Sequence, residues 1–532
     1  MRRYAWGAGL FAILAVALVL RLHGIADPIM DHPGWRQGDT AAIARNFAQR
    51  RFDIMYPQTT YNGPPPNYVE LELQIVPFSA ATLYKIFGVH EIFGRLITLT
   101  FSLATIATIA FFARWLFADA LAGLIAAFFY AVFPGSVYYG RTFMPDCAMV
   151  FFLTIALYAA ARLLLDRDRL RTGSVAGTTV LLALAYLAKP VALLGLAPLL
   201  GLIWDRWRGA KRKQSAAVAA LIVIPVILLV IYERRIASYA HWHWASGIMR
   251  LHVLPSLAGA FTSLTAFLEK CTQFRIVLGM MRETMLGSLS FVLTVAAFVA
   301  LPWMSARSKA LLWSWLGGGL LYVFVVVTVE RVDYYMYPIL PLCALVIGGA
   351  LARFIAFVRG IDAAPAGRYA LLSITPIVAL VVLLTSRQPV ATYYEYNHEA
   401  YRSALALHRS LDPQALVVIA HYGPDVQYYV DRFGWEEDPL LWTPFDEESA
   451  IRKGARYFIA VEDHRLAHNL ELCAWLQRFP VTNEGGDWPV YETLPARMLP
   501  GAERAWQAFR RAERAGLGRS FLDARGACKT SP

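Results

Sequence analysis

The sequence carries little charge for its length, and this limits what the protein can be. Of its 532 residues, 17% are charged and 57% are hydrophobic, whereas soluble domains carry about 25% charged residues. This excludes an ordinary soluble protein, and apolar runs of about 18 or more residues predict membrane-spanning helices. The formal net charge of +12 does not indicate nucleic-acid binding. Lys and Arg cluster in short loops between apolar runs, as in cytoplasmic loops, and form no basic stripe interleaved with aromatic residues.

Cysteine and the common catalytic motifs are also scarce. The five cysteines show no CxxC spacing, and their odd number excludes complete pairing, so neither a zinc site nor a disulfide framework is predicted. There is no Gly-rich phosphate loop, no GxSxG and no HExxH. The apolar segments also lack the paired, Gly- or Pro-broken segments that are typical of secondary transporters.

What the sequence does contain is a series of long apolar runs. The N-terminus resembles a signal peptide, but Arg21 and His23 precede the small-residue site, so a retained first helix with a cytoplasmic N-terminus is predicted. In all, we predict about eleven transmembrane helices, with the Lys- and Arg-rich loops in the cytoplasm. The apolar runs cover residues 5–22, 95–113, 119–137, 147–165, 174–188, 190–204, 215–232, 286–302, 310–328, 335–354 and 369–386.

The predicted architecture has two parts. An all-α polytopic membrane domain covers residues 1–386, with a first outer loop at 23–94 and a second at 233–285. A small α/β extracytoplasmic domain covers residues 387–532 and ends in a basic tail, either amphipathic or frayed. Within it, buried strands are predicted at 416–420 and 457–461, and helices at 425–433, 446–453 and 464–479.

The first outer loop contains an acid in an unusual position, just after a membrane span. Asp39 is followed by the small-residue stretch Thr40-Ala41-Ala42-Ile43-Ala44, which predicts a helix. Asp39 can be a general base that takes the proton of an acceptor hydroxyl as it attacks a sugar. The alternative is a helix N-cap, for which Asp is a favoured residue. Position alone favours the cap.

A second acid, Asp146, lies where an outer loop enters the next span. A carboxylate at that depth is costly unless it faces a polar cavity or a partner. The alternative to a functional role is an ion pair, for which Arg141 is a candidate partner. Lys189 interrupts an apolar run at its outer end. It can bind a lipid-linked phosphate, or it can simply extend its amine to the interface.

Three further outer-face groups are candidates for binding. Arg331, Tyr334 and Tyr335 can bind phosphate oxygens, although tyrosine is also typical of an interfacial aromatic belt. Glu70 and Glu72 can bind a metal, a sugar hydroxyl or water. The string His241-Trp242-His243-Trp244 has no third metal ligand at a recognisable spacing, and interfacial aromatics or a sugar-stacking surface fit it better.

In their order and spacing these features resemble the GT-C superfamily of glycosyltransferases that use lipid-phosphate sugars. The branch most similar to the chain holds the protein O-mannosyltransferases and the lipid A aminoarabinose transferase. Besides the acids above, the resemblance rests on Leu83-Tyr84-Lys85-Ile86-Phe87-Gly88-Val89-His90-Glu91 before Gly94-Arg95-Leu96, on Leu187-Ala188-Lys189-Pro190, and on Tyr335-Met336-Tyr337-Pro338-Ile339-Leu340-Pro341.

The resemblance implies an inverting sugar transfer from a polyprenyl-phosphate donor in an extracytoplasmic cavity. It implies that Asp39 is the catalytic base, which reverses the preference for an N-cap, and that Asp146 is the second-loop acid. Lys189 and Tyr335 lie near positions associated with the donor phosphate. Thr40 stands where a second acid is common, and Val69-Glu70-Leu71-Glu72 stands where an acidic-basic pair and prolines are often found. Both departures leave metal use and the acceptor class open.

We therefore expect a multi-pass glycosyltransferase of the inner (plasma) membrane, with a lipid-linked sugar as donor and a glycan, lipid or protein as acceptor. No cofactor and no nucleic-acid partner are expected, and a divalent metal is left open. The main alternative is a transporter or flippase of lipid-linked sugars, and a second is a non-enzymatic binding protein. The expected site comprises catalytic Asp39 and Asp146, phosphate-binding Lys189, Arg141, Tyr335, Tyr334 and Arg331, and substrate- or acceptor-binding Glu70, Glu72, Trp35 and Arg36.

Overall fold

The computed structural model describes residues 2–166, 169–208, 215–360, 365–482 and 488–524. The N-terminal two thirds are helical. The α-helices there are α1 (Arg2–Leu22), α2 (Gly34–Gln49), α3 (Ile75–Phe87), α4 (Glu91–Leu116), α5 (Ala120–Val132), α6 (Pro134–Tyr139), α7 (Asp146–Asp166), α8 (Thr172–Ala188), α9 (Leu196–Arg208), α10 (Ser215–Ala237), α11 (Ala245–Gly247), α12 (Leu254–Ala260), α13 (Leu264–Met280), α14 (Ser288–Ala300), α15 (Lys309–Tyr322), α16 (Thr328–Glu330), α17 (Leu340–Gly360) and α18 (Pro365–Leu384). Two short strands, β1 (Val69–Glu70) and β2 (Trp242–His243), pair in parallel and join the two outer loops.

Each of the eleven predicted apolar runs falls on helical structure, but not all form a full span. Among the described residues, seven helices are long and apolar enough to cross a membrane, or eight if one bent pair counts as a span. The run at 119–137 divides at Pro134, which begins α6 and disfavours a helical residue before it. The run at 190–204 starts as the 3-10 helix Pro190–Gly195. The run at 286–302 is the second arm of a helix pair bent by 110°.

The second outer loop is more ordered than the sequence indicates. Helix α13 continues through a π-helical turn to Leu286 and forms the first arm of that bent pair. The prediction missed it because charged and polar residues such as Glu269 and Lys270 interrupt its apolar pattern.

Close packing of small residues holds the membrane helices together. A Cβ on Gly348 of α17 would lie 2.6 Å from the Ala122 carbonyl oxygen of α5. Only glycine permits this approach, which is the usual way in which membrane helices gain contact area. The core between these helices is continuous and includes Tyr130, Leu157 and Trp315, all nearly without solvent exposure.

A smaller sheet-containing part, which we call the C-terminal unit, comprises residues 398–482 and 488–524. Its helices are α19 (His398–Ser410), α20 (Pro424–Val430), α21 (Pro444–Arg452), α22 (Asp463–Leu466), α23 (Leu470–Leu476), α24 (Ala502–Arg514) and α25 (Gly518–Asp523). Its strands are β3 (Leu416–Ile419), β4 (Gly434–Glu436), β5 (Ala455–Ile459), β6 (Val481–Thr482) and β7 (Val490–Glu492), in the order β4-β3-β5-β7-β6. Strand β3 is parallel to β4 and β5, whereas β7 is antiparallel to β5 and β6.

The predicted helical membrane part and α/β C-terminal part are confirmed. Both predicted strands and all three predicted helices are present, although 464–479 divides into α22 and α23. The arginine-rich end forms α24 and α25, which bury Phe509 and Leu522; residues 525–532 lie outside the described residues. No disulfide framework is predicted from the sequence, but Cys473 is disulfide-bonded in the structure.

The C-terminal unit contacts the first outer loop directly. Gly63 N donates to the Gly434 carbonyl oxygen over 2.7 Å, and Gly434 N donates to the Thr60 carbonyl oxygen over 3.1 Å. Arg45 of α2 forms an ion pair with Asp431 at 2.9 Å. Helix α2 therefore lies between the membrane helices and the sheet, with twelve consecutive residues buried, 36–47.

Candidate active site

Asp39 lies in the second turn of α2. The helix begins at Gly34 after the N-cap residue Pro33, so the alternative that Asp39 is an N-cap is wrong. Asp39 is only 3% exposed. Its Oδ1 accepts a hydrogen bond from the Tyr61 hydroxyl over 2.6 Å, and its Oδ2 lies 3.9 Å from Arg36 Nη1.

The surroundings of Asp39 set its proton affinity. Burial raises the pKa of Asp39 to about 6, while the Arg36 charge and the Tyr61 hydrogen bond act in the opposite direction. Neighbouring Glu72 and Asp425 add to the increase. A carboxylate with a pKa close to the working pH is mostly ionised and still basic enough to accept a proton, which is the requirement for a general base.

Arg36 connects the acids of the site. Its guanidinium donates to Glu72 Oε1. Burial by itself would lower the pKa of Arg36, but the carboxylates of Glu72, Asp39 and Asp146 outweigh it and raise the pKa. Arg36 therefore has both candidate catalytic acids, Asp39 and Asp146, as electrostatic neighbours.

Asp146 pairs with Lys189 and not with Arg141. Lys189 Nζ donates to Asp146 Oδ1 over 2.7 Å, and the ammonium lies 4.9 Å from the ring centroids of both Tyr334 and Tyr335. Asp146 Oδ2 is buried and has no hydrogen-bond partner among the described residues. Because a lysine ammonium has three donors, this arrangement leaves both a carboxylate oxygen and ammonium hydrogens for a substrate.

Arg141 is engaged elsewhere and does not form the alternative ion pair with Asp146. Its guanidinium is fully buried and contacts Asp31 Oδ2 at 2.5 Å, and Arg95 contacts Asp31 Oδ1 at 2.7 Å. Gln37, two residues before Asp39, donates to the same Asp31 Oδ1 and accepts from the Phe143 backbone. The buried network joins helix α2 to the turn before Asp146, and Arg141 serves this network.

The other predicted residues are divided between the site and its surroundings. Trp35 contacts the ring of Tyr334, with centroids 6.3 Å apart. Glu70 accepts from the Ser246 hydroxyl over 2.6 Å and lies 3.4 Å from His243 Nδ1, so it joins the two outer loops. Arg331 is exposed, in a left-handed backbone conformation at the end of α16.

No metal ligand set is present in the parts of the chain that the structure describes, since no three His, Cys, Asp or Glu side chains are grouped suitably. The string His241–Trp244 instead contributes β2, which pairs with β1. We therefore assign no residue to metal binding.

The sequence analysis missed several residues that shape the site. Tyr61 has no signal beyond being an aromatic residue in a polar stretch. Asp333 is buried and accepts hydrogen bonds from the hydroxyls of Tyr139, Thr284 and Tyr393, although it stands next to the noted Tyr334. Asp425 of the C-terminal unit touches α2, and nothing in its own segment indicates that contact.

The fold and site can now be compared with known proteins. The family model for dolichyl-phosphate-mannose-protein mannosyltransferase matches residues 75–232, which is less than half of the chain. No curated protein matches at a significant level. The fold is of the GT-C type.

Solved structures share this fold at low sequence identity. The apo oligosaccharyltransferase of Archaeoglobus fulgidus is 12% identical, with 87% of this chain and 71% of that chain covered and a TM-score of 0.61. Apo ArnT from Cupriavidus metallidurans is 14% identical, with 94% and 100% covered and a TM-score of 0.57. ArnT bound to undecaprenyl phosphate is 13% identical, with 92% and 99% covered and a TM-score of 0.56. The predicted resemblance is confirmed.

Proposed function

We propose that this multi-pass membrane protein is a glycosyltransferase that moves a sugar from a polyprenyl-phosphate donor to a hydroxyl of an extracytoplasmic acceptor. The match to a family named for a lipid-phosphate sugar donor supports this proposal. So does the likeness to ArnT, which has been solved with undecaprenyl phosphate. The observation that carries the mechanism is the buried Asp39 carboxylate beside Arg36 and near the Lys189–Asp146 pair.

In the proposed reaction Asp39 is the general base. The acceptor hydroxyl gives its proton to Asp39 as its oxygen forms a bond to the anomeric carbon. The bond from that carbon to the phosphate oxygen breaks with its electron pair, and polyprenyl phosphate leaves. The attack comes from the face opposite the phosphate, so the configuration of the sugar inverts. The phosphodiester leaving group is a weak base and needs no acid catalyst.

Lys189 is the proposed ligand of the donor phosphate. Asp146 holds the ammonium in place through one hydrogen bond, so two ammonium hydrogens remain for phosphate oxygens. Tyr334 and Tyr335 flank the charge with their rings. Because the group is largely buried, its charge stabilises the departing phosphate more strongly than it would in water. The free Oδ2 of Asp146 is proposed to accept a hydrogen bond from a donor sugar hydroxyl.

On the acceptor side, the proposed contacts are Trp35, Arg36 and Glu72. Arg36 and Glu72 are the charged neighbours of Asp39, and Trp35 immediately precedes Arg36 on α2. We do not assign Arg141 a substrate contact because its guanidinium is fully enclosed. Arg331, being exposed beyond Tyr334, is proposed to attract the anionic donor and not to bind it in the reacting position.

The proposed orientation places the site and the C-terminal unit outside the inner membrane, with the N-terminus in the cytoplasm. The disulfide at Cys473 supports this, since disulfides persist in oxidising compartments and are rare in the cytosol. Arg307 pairs with Asp166 at the end of α7 opposite to Asp146 and Lys189, and Lys309 begins α15 two residues later. Basic residues at that end agree with the positive-inside rule for a cytoplasmic side.

The test uses purified full-length protein in lipid with a panel of polyprenyl-phosphate sugars and acceptor extracts, and it measures release of polyprenyl phosphate. We expect release by the unaltered protein and at least a hundredfold loss with Asp39→Asn, within the range that general bases contribute. Asp53→Asn is the matched control, since Asp53 lies in the same outer loop but pairs with Arg51.

The possible outcomes separate this proposal from its rivals. Equal release by Asp39→Asn would move the base elsewhere, with Asp146 next to be tested. A failure of release with every donor and acceptor, together with movement of lipid-linked sugar across the bilayer that survives Asp39→Asn, would favour a transporter.

A further inference from the structure

One segment of the C-terminal unit, residues 421–425, comprises the loop before α20 and the first turn of that helix, and it lies against the turn of α2 that carries Asp39. We call this segment the 421–425 loop. A Cβ at Gly38 would lie 2.7 Å from the Asp425 backbone nitrogen, and a Cβ at Gly34 would lie 2.7 Å from Asp425 Oδ2. Real Cβ atoms do not approach other atoms so closely. Two glycines in one helix face therefore allow this loop to border the proposed base.

The loop is held in a fixed position. His421 Nδ1 lies 2.8 Å from Glu462 Oε1, and its Nε2 lies 3.4 Å from Asp425 Oδ1. Burial would lower the pKa of His421, but the bonds to Asp425 and Glu462 outweigh it and raise the pKa to about 10. Gly423 N donates to Glu436 Oε2 over 2.7 Å. Both ring nitrogens of His421 are thus occupied by the protein, so His421 positions the loop and is not free to bind a ligand.

Tyr422 differs from its neighbours in this fixed loop. It is 70% exposed, and its ring packs on no other aromatic ring within the part of the chain that the structure describes. Partial burial of the hydroxyl raises the pKa of Tyr422, and the carboxylates of Glu436, Glu437, Asp39 and Glu330 add to this. Charged groups of the C-terminal unit, α2 and α16 therefore all act on Tyr422, and Tyr422 belongs to the segment that contacts Gly38 next to Asp39.

The groups around Tyr422 fit one class of ligand. An aromatic face packs against the C–H face of a sugar ring, and nearby carboxyl groups hydrogen-bond its hydroxyls. An anionic group such as a phosphate would be repelled by Asp39 and Glu437. Burial raises the pKa of Glu436 to about 8, so this carboxyl is largely neutral near pH 7 and can both donate to and accept from a hydroxyl.

We propose that Tyr422 is the stacking platform for an uncharged sugar ring of the acceptor, so that the acceptor is a glycan or a glycolipid headgroup. The role of this sugar as the acceptor rests on the proposed function. The binding of a sugar ring to Tyr422 does not depend on it. The reacting hydroxyl would reach Asp39 while an adjacent part of the acceptor rests on the Tyr422 ring. Selection of the acceptor would then reside in the C-terminal unit, and recognition of the donor in the membrane helices.

The test measures binding separately from turnover. Full-length protein carrying Asp39→Asn, reconstituted in lipid, is titrated calorimetrically with neutral oligosaccharides, with a glycolipid headgroup and with a serine- and threonine-containing peptide. We expect saccharide affinity to fall at least tenfold in Tyr422→Ala and to be kept in Tyr422→Trp. Phe445→Ala is the matched control, because Phe445 is 71% exposed on the same unit, and it should leave affinity unchanged.

The outcomes of this titration either support the sugar-binding role of Tyr422 or overturn it. Saccharide binding that depends on Tyr422 supports the proposal even if polyprenyl phosphate release fails, in which case only the proposed function falls. Binding of the peptide alone, equal saccharide affinity in Tyr422→Ala, or no saccharide binding at all would overturn it. Preference for the glycolipid over the free oligosaccharide would identify a lipid acceptor within the same class.

Discussion

Tyr61 donates its phenolic hydrogen to Asp39 Oδ1 over 2.6 Å, at a place where neither residue is more than 3% exposed. The hydrogen bond favours the ionised carboxylate and so opposes burial, which raises the pKa of Asp39. A tyrosine from an irregular segment of the outer loop therefore tunes the proton affinity of the proposed base. Its contribution can be isolated by removing a single oxygen atom.

Tyr61→Phe should shift the pH dependence of sugar transfer. Asp39 acts as a base only when ionised, so activity is present above its pKa and is lost as the pH falls through it. Loss of the hydrogen bond raises that pKa further. Since a hydrogen bond to a charged group contributes about 1.5–3 kcal/mol and one pKa unit is about 1.4 kcal/mol, we expect the acidic limb to move upward by about one to two units.

The measurement is the initial rate of polyprenyl phosphate release across the acidic and neutral range. Tyr68→Phe serves as the control, because the Tyr68 hydroxyl contacts Arg51 and not Asp39. An acidic limb that does not move in Tyr61→Phe would mean that Asp39 is not the group whose ionisation controls the rate.

The relation between Tyr61 and Asp39 also shows where sequence reasoning stops. Apolar runs predicted nearly every membrane helix because many successive side chains in each run are hydrophobic. Asp39 and Lys189 were found because a charge in an apolar setting is conspicuous. Tyr61 carries no such signal. Its importance arises from a contact made across 22 positions of irregular chain.

The alternative ion pair between Arg141 and Asp146 is wrong for a similar reason. Arg141 and Asp146 are close in sequence, but Arg141 bonds to Asp31, 110 positions away, and Lys189 bonds to Asp146 from 43 positions away. Pairing in a membrane protein follows the helices that neighbour each other in space, and sequence distance does not report this. Fewer of the predicted runs form one long uninterrupted helix among the described residues, because proline and helix bends divide apolar runs without changing their composition.

The contribution of the Lys189–Asp146 pair to stability should be separable from its contribution to donor binding. Lys189→Met alone leaves a buried carboxylate without its partner, and we expect a loss of about 3–5 kcal/mol in stability. The double variant Asp146→Asn/Lys189→Met removes both charges and should recover most of that stability, as thermal unfolding in detergent can show. Binding of polyprenyl phosphate should stay at least tenfold weaker in the double variant. Donor binding that recovers together with stability would show that the pair only holds the helices.

Gly38→Ala should uncouple the C-terminal unit from the catalytic helix. The new Cβ would lie 2.7 Å from the Asp425 backbone nitrogen and 2.9 Å from its Cα, and the backbone of a fixed loop cannot yield as a flexible side chain can. We expect a stability cost of about 1–3 kcal/mol, typical of overpacking, and at least a tenfold loss of transfer. Gly177→Ala is the control, since nothing lies within 4 Å of its Cβ position in α8. An active, fully stable Gly38→Ala protein would show that the loop does not need to touch α2.

The proposed orientation can be tested with single cysteines. In a Cys271→Ser background the other free thiols among the described residues, Cys147 and Cys343, are buried, and labelling of this background without a new cysteine is the blank. Phe445→Cys on the C-terminal unit should react with a membrane-impermeant maleimide in intact cells. Ser305→Cys, in the exposed loop before α15, should react only after the membrane is permeabilised.

This labelling pattern matters for the chemistry as well as for the topology. Lys189 and Asp146 lie at the ends of α8 and α7 that are opposite to Asp166 and Arg171, so fixing the side of Ser305 and Phe445 fixes the side on which sugar transfer takes place. The reverse pattern would put the site in the cytoplasm, where a Cys473 disulfide would not persist, and where nucleotide sugars would become the donors to test.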